Sequence, residues 1–312
     1  MHRYRFILTR PLQFVPVLFG ISVITFILVR LIPGDPVRNI LGTRATPTAI
    51  ANIRAQYGLD EPLWLQYFYF LRNLANGEMG KSILYKIDVL KLILTRIEPT
   101  VALVASSVVL SVLIAVPLAA IAARSNGRAP DHIIRIVSTF GIGFPPFWLG
   151  LMLIILFSVD LGWLPVSGYG STIGEKAAHL LLPSLTIALS LSTVLTRSLR
   201  TAMIEGLKSD VATAVRARGM PERTVFWRHV LPNSLLPTIN LLAVNIGWLI
   251  GGTVVVETVF ALPGMGQLLV RAIFSRDYMV VQGVAMVFAC ATVFINFIAD
   301  IATVAVDPRV RL

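Results

Sequence analysis

Six uncharged, apolar runs, each about as long as a bilayer is thick, constrain this chain more than anything else in it. A helix rises 1.5 Å per residue, so crossing ~30 Å of hydrocarbon takes about 20 apolar residues. The runs cover residues 11–29, 99–123, 136–159, 177–196, 231–256 and 278–299. In lipid every backbone N–H and C=O needs a partner within the spanning structure, which leaves helices or a closed barrel. The period-2 alternation of a barrel is absent. The sequence therefore predicts an all-α polytopic membrane protein with six transmembrane helices. Charged residues make up only 14%, against about 25% in ordinary soluble domains, too few to cover a globule. The single Cys290 lies inside an apolar run, so no intrachain disulfide can form. Arg3, Arg5 and Arg10 precede the first run as they would a secretory signal. Its apolar length exceeds the ~7 to 15 residues of a signal, and no small-x-small site follows it before Ile32, so it is read as a span.

An even number of spans puts both termini on one side, and basic residues identify that side. Arg124, Arg128 and Arg135 follow the second run, and seven basic residues from Arg197 to Arg228 follow the fourth. The two short opposite loops hold only Lys176, Arg271 and Arg276. Both termini are thus expected in the cytoplasm. The net charge of +11 is mostly topology and does not call for nucleic acid.

Helix punctuation marks two short elements outside the membrane, between the first and second runs. Thr46 and Pro47 open one, with Gly58 as its stop, and Pro62 opens another that ends near Asn76 and Gly77. The second carries an apolar stripe of Trp64, Tyr67, Phe68, Leu71 and Leu74, which either packs on the bundle or docks an external partner. On the cytoplasmic side Ser209 can cap a helix over residues 210–218, Gly219 can take the left-handed stop, and Pro221 can open a second short helix ending before Pro232. Ala212, Ala214, Ala217 and Gly219 keep this segment slim, while Arg216, Arg218, Arg223 and Arg228 surround it with charge. It reads as a peg for a partner's socket, or as a basic loop beside anionic lipid.

Spacing favours the peg. Thr213-Ala214-Val215, three residues, Gly219, nine residues, then His229-Val230-Leu231-Pro232 resembles the cytoplasmic signature of permease subunits of ATP-binding-cassette importers. Thr213 and His229 depart from the general pattern, but both match the dipeptide, oligopeptide and nickel permease branch. That resemblance also rests on Leu31-Ile32-Pro33-Gly34-Asp35-Pro36, Glu257-Thr258-Val259-Phe260, Pro263-Gly264-Met265-Gly266, Arg276-Asp277-Tyr278 and Asp307-Pro308-Arg309. Met279 stands where the branch has Pro. The resemblance implies a type I importer permease fold. Residues 1–10 would form a cytoplasmic terminus, 11–31 the first span, 32–98 an external helical region and 99–312 a five-helix core with a coupling segment at 197–230.

It implies an inner-membrane permease that is not an enzyme. Its partners would be a second homologous permease, two ATPase subunits, an external substrate-binding protein and membrane lipid, with no cofactor and no metal. Thr213, Ala214, Ala217, Gly219, His229, Leu231 and Pro232 are the candidate coupling residues. Gly141, Pro145, Pro146, Asn240, Asn245 and Gly251 are the candidate pathway residues. The leading substrate class is di- or oligopeptides. Nickel, glutathione or another small solute is the alternative, and a membrane enzyme or receptor the distant one.

Other motifs carry little. Gly80-Lys81-Ser82 ends like a phosphate loop, but Ala75 stands where its first Gly belongs. Gly141-Ile142-Gly143 lacks the third Gly of a dinucleotide fingerprint. Beside Pro145 and Pro146 it marks irregular backbone. His2, His132, His179 and His229 are scattered, and no Ser nucleophile elbow occurs. A secondary carrier should hold several ionisable groups within its spans, and only Asp300 clearly qualifies.

Overall fold

The computed structural model describes residues 5–31, 37, 46–56 and 58–306. Helices occupy all six apolar runs: α1 (Arg5–Leu31), α4 (Val89–Arg124), α5 (Ala129–Gly143) with α6 (Pro146–Leu153), α7 (Ile173–Leu207), α10 (Leu231–Val259) and α12 (Tyr278–Val306). The connecting segments fold as α2 (Pro47–Gln56), α3 (Leu63–Ala75), α8 (Asp210–Ala217), α9 (Glu222–Thr224) and α11 (Met265–Ser275). Among the described residues, Val89–Arg124, Ile173–Leu207 and Tyr278–Ile298 are long and apolar enough to cross a membrane by themselves. The bent pair Glu222–Leu242 and Val244–Val259 makes a fourth. The motif Leu31 to Pro36, except Leu31 itself, and the Asp307-Pro308-Arg309 end lie outside the described residues, as does the Asp300 side chain.

The expectation of one continuous helix over 136–159 is corrected. The chain breaks at Phe144 and Pro145, whose ψ angles of 127° and 138° are extended. Proline has no N–H to give and pushes the residue before it out of the helical region, so two prolines in a row end α5 and open α6. α6 then widens into a π-helical stretch, Ile154–Asp160.

α7 carries Pro183 in its interior and still runs for 35 residues. Its start is secured by a capping box, in which Thr172 Oγ1 accepts from Glu175 N while Glu175 reaches back to the Thr172 N–H.

The chain divides into two compact units. One is built from Val101–Leu262 with the chain from Thr292, the other from Leu8–Thr100 with Pro263–Ala291. In the second unit the expected helix punctuation holds: Thr46 Oγ1 accepts from Ala49 N at the head of α2, and Gly58 and Gly77 take positive φ. The stripe on α3 splits. Tyr67 packs edge-on against Phe26 and hydrogen-bonds Ser22, whereas Trp64 and Phe68 stay exposed.

Ser82 is buried and donates to the equally buried Asp277, so the phosphate-loop look-alike is a structural tie. Asp277 also accepts from Leu84 N at 3.2 Å. Arg276 takes the left-handed conformation at the end of α11, with φ of 56°. That turn and the Asp277 contacts form the bend that precedes Met279, where the branch has Pro.

Candidate coupling site and pathway face

In the first unit, α8 begins where Ser209 Oγ accepts from Ala212 N, 3.3 Å away, and itself donates to Gly206 O at 2.7 Å. The helix ends at Gly219, with φ of +77°, whose N–H bonds Arg216 O at 2.8 Å. A side chain in that conformation is strained, which is why a glycine stands there.

α8 has two unlike faces. Ala212 and Val215 are buried, packed with Val225, Phe226 and Val230 against Ala119, Ala120 and Ala123 of α4 and Leu199 and Met203 of α7. Gly206 allows the close approach, since a Cβ there would come within 3.0 Å of Val230 Cγ1. Truncating the fully buried Phe226 to Ala would cost about 3–5 kcal/mol. Thr213, Ala214, Ala217 and Gly219 lie on the other, exposed face. Ala212, which composition alone placed on the peg's outer surface, is core. Among the described residues, nothing lies within 4 Å of a Cβ built on Gly219. Exposed Val211, Met220 and Trp227 add apolar area around it.

The charge around this segment is less free than the sequence suggests. Arg216 Nε donates to Glu222 Oε1 at 2.6 Å and Nη2 to Oε2 at 3.3 Å, while Nη1 donates to Leu207 O at 2.9 Å. One guanidinium thus joins the end of α7, α8 and the start of α9. Its hydrogen bond holds the Glu222 carboxyl below the ordinary carboxylate value and raises its own. Deeper in the same unit, Arg200 clamps the buried Asp131 through two bonds of 2.5 and 2.6 Å. Gly127 N adds a third at 2.9 Å. Led by the Arg200 hydrogen bond, these lower the Asp131 carboxyl from 3.8 to about 2.

The second short helix was expected to end before Pro232, and the structure corrects this. α9 passes through a π-helical turn, Val225–Val230, straight into α10, with Pro232 in its first turn. A π turn is wider than an α turn, and the extra room accepts the pyrrolidine ring that would collide with the preceding carbonyls. His229 sits in this turn, half-buried, and its Nε2 has no hydrogen-bond partner among the described residues. Leu231 is half-buried and Pro232 exposed.

On α10, Asn240, Val244, Trp248, Gly251 and Val255 recur at helical spacing and are all exposed, Trp248 by 83%. Among the described residues, a Cβ on Gly251 or Gly252 would meet nothing within 4 Å. Asn245 lies off this face. It is half-buried, and its Nδ2 donates to Leu241 O of its own helix. Gly141 packs on α7, where a Cβ would come within 2.8 Å of Thr193 Oγ1. Pro145 and Pro146 are exposed at the α5–α6 break.

Residues 115–312 match the family model described as "Binding-protein-dependent transport system inner membrane component", and residues 3–104 match the model of its N-terminal region. The chain belongs to this family. It is a multi-pass inner-membrane permease subunit of an ATP-binding-cassette importer, a family that acts with ATPase and substrate-binding partners and a second permease. It is similar to the glutathione transport system permease protein GsiC of Escherichia coli (strain K12), with 36% identity over 306 residues and 98% of each chain covered. GsiC of Salmonella choleraesuis (strain SC-B67) matches at the same identity and coverage.

Among solved structures, the inward-facing MetNI methionine transporter has a chain 17% identical with a TM-score of 0.59, covering 69% of this chain and 96% of that one. A crystal structure of an amino acid ABC transporter with histidines gives a TM-score of 0.54 at 13% identity, covering 69% and 94%. At these identities the likeness is one of fold, and the fold is that of a type I importer permease.

Proposed function

We propose that this permease forms half of a pathway for short peptides, and that residues 209–232 receive the stroke of an ATPase subunit. The observation that carries the reading is the two-faced α8. A buried face ties it to α4, α7 and α10, and an exposed small-residue face, ended by Gly219, leaves room for another protein's backbone. ATP binding would close two ATPases, displace α8 and pass the movement through the π turn and Leu231-Pro232 into α10. The permease would then exchange inward-open and outward-open states, an equilibrium biased by nucleotide.

The exposed α10 face supports the pathway half of the reading. An Asn, a Trp and a Gly-Gly notch on one stripe suit a homologous partner permease and a polar passage between the two chains better than they suit lipid. The relatives named for glutathione transport favour a short peptide, glutathione being itself a tripeptide. The test is reconstitution in vesicles with the second permease, both ATPases and the binding protein. ATP-dependent uptake of dipeptide or glutathione, with hydrolysis that rises when the binding protein is loaded, is expected. Uptake of nickel in place of either peptide would overturn the substrate assignment, and hydrolysis indifferent to the loaded binding protein would overturn the coupling.

A further inference from the structure

The second unit contains a cavity of about 460 Å³ that the coupling and pathway residues do not touch. Small-molecule sites usually measure ~300–1,000 Å³ and hold a few placed polar groups. Here the groups are of both signs and include side-chain amides: Arg30 and Lys81, Glu61 and Glu78, Asn73 and Gln282.

Gln282 makes the cavity more than a cleft. It is 2% exposed, it lines the wall, and its Nε2 has no hydrogen-bond partner among the described residues. A buried donor costs free energy when its bond is unmade, so this amide is available to an acceptor that enters the cavity. The neighbouring amide is already engaged. Gln66 gives Nε2 to Leu59 O and Glu61 O and accepts from Arg30 Nη2 at 2.7 Å.

Charge then narrows the class of ligand. Lys81, Glu61 and Glu78 are exposed at the cavity, and no ion pair joins them to another described residue. A cation and two carboxylates, each solvated and unpaired, match a molecule bearing charges of both signs at its two ends. Met279, the departure from the branch pattern, also lines the cavity, with its Sδ 3.2 Å from a Cβ built on the neighbouring Gly80.

We propose that this cavity is an external reception site for a zwitterionic short peptide, with Gln282 Nε2 donating to a peptide carbonyl or carboxylate. Lys81 faces the peptide's carboxylate end and Glu61 or Glu78 its ammonium end. The proposal rests on the peptide reading above and on the topology that places residues 32–98 outside the cytoplasm.

The test uses the full importer complex in nanodiscs, with triglycine as probe and its N-acetylated, C-amidated form as control. Triglycine is expected to slow hydrogen exchange at residues 58–61 and 78–82, and the capped form is not. Gln282→Leu, which removes the donor, should weaken that protection by about tenfold or more while basal ATP hydrolysis stays unchanged. Lys81→Met, at an exposed site that folding does not need, should weaken it as well. Equal protection by the capped peptide, or protection that survives both substitutions, overturns the proposal and leaves a water-filled cleft. A complex that imports triglycine without protecting these segments overturns the cavity alone. One that imports no peptide overturns the transport assignment with it.

Discussion

Arg216 and Glu222 meet as a bidentate pair across the turn at Gly219, and the same guanidinium holds the last carbonyl of α7 through Leu207. The exposed face of α8 is therefore carried by a closed hairpin rather than a loose loop, and a force applied to it reaches α7 and α10 together. Arg216→Met should leave the membrane helices intact and speed hydrogen exchange over residues 217–222. ATP hydrolysis should persist while transport falls. Since Glu222 titrates below its ordinary value, the pair is complete above that value and is lost as pH falls through the lowered one. Corrected for the intrinsic pH dependence of amide exchange, protection of residues 217–222 in the wild type should fall on acidification, and in Arg216→Met it should not change further. An unaltered exchange rate in the variant would remove the clamp from the mechanism.

Gly219 separates two causes of failure. Its φ of +77° costs an ordinary residue about 1–2 kcal/mol, and Asn pays less because it visits the left-handed region readily. The space around it is open, so a side chain is excluded by the backbone or by a partner and by nothing among the described residues. Gly219→Asn should keep the hairpin folded, whereas Gly219→Asp adds charge at the proposed socket. The Asp variant is expected to insert normally and to lose ATPase co-purification or transport. Normal transport by Gly219→Asp would refute the coupling role of this face.

Much of this site was legible because its determinants are local. A cap three residues from its donor, a glycine at a left-handed stop and a proline at a helix head each declare themselves within one turn, and Ser209, Gly219 and Pro221 did so. The long apolar helices were legible from the length of the apolar runs, although the run over 136–159 proved to be broken. What escaped needed tertiary pairing. Asp131 finds Arg200 69 positions away and Ser82 finds Asp277 195 positions away, and no periodicity encodes either. Ala212 looked like the rest of a small-residue surface because amphipathicity over eight residues does not say which small side chain is core. Pro232 misled for a physical reason: a π turn ahead of it relieves the clash that usually makes proline a stop.

The Asp131–Arg200 pair gives a stability prediction with a definite sign. Asp131 is buried and its carboxyl is lowered from 3.8 to about 2. A lowered carboxyl contributes stability that is complete above the ordinary value and is lost as pH falls toward the lowered one. Asp131→Asn leaves Arg200 without its charge partner and should cost about 3 kcal/mol, read as a lower Tm of the detergent-solubilised protein near neutral pH. Between about pH 4 and pH 2 the wild type should lose the part of its stability that the variant never had, and the two Tm curves should converge. Parallel curves across that window would show that the pair contributes nothing.

The α10 face separates a lipid surface from a wet pathway. Thiols react as thiolates, which need water, so maleimide reactivity reports hydration. With Cys290 replaced by Ser, cysteines at Trp248, Gly251 and Val244 lie on the exposed stripe, and one at Ile250, which is 6% exposed, serves as the buried control. In the assembled importer a polar maleimide should modify Trp248→Cys and Gly251→Cys roughly tenfold faster than Ile250→Cys, because a passage between two permeases admits water where lipid does not. Trapping the ATPases with nucleotide should change those rates, since movement of α8 through the π turn alters what α10 faces. Rates as slow as the buried control, indifferent to nucleotide, would assign the stripe to lipid. The passage would then have to be sought at the exposed Pro145-Pro146 break, where two prolines have no N–H to offer the carbonyls of the preceding turn.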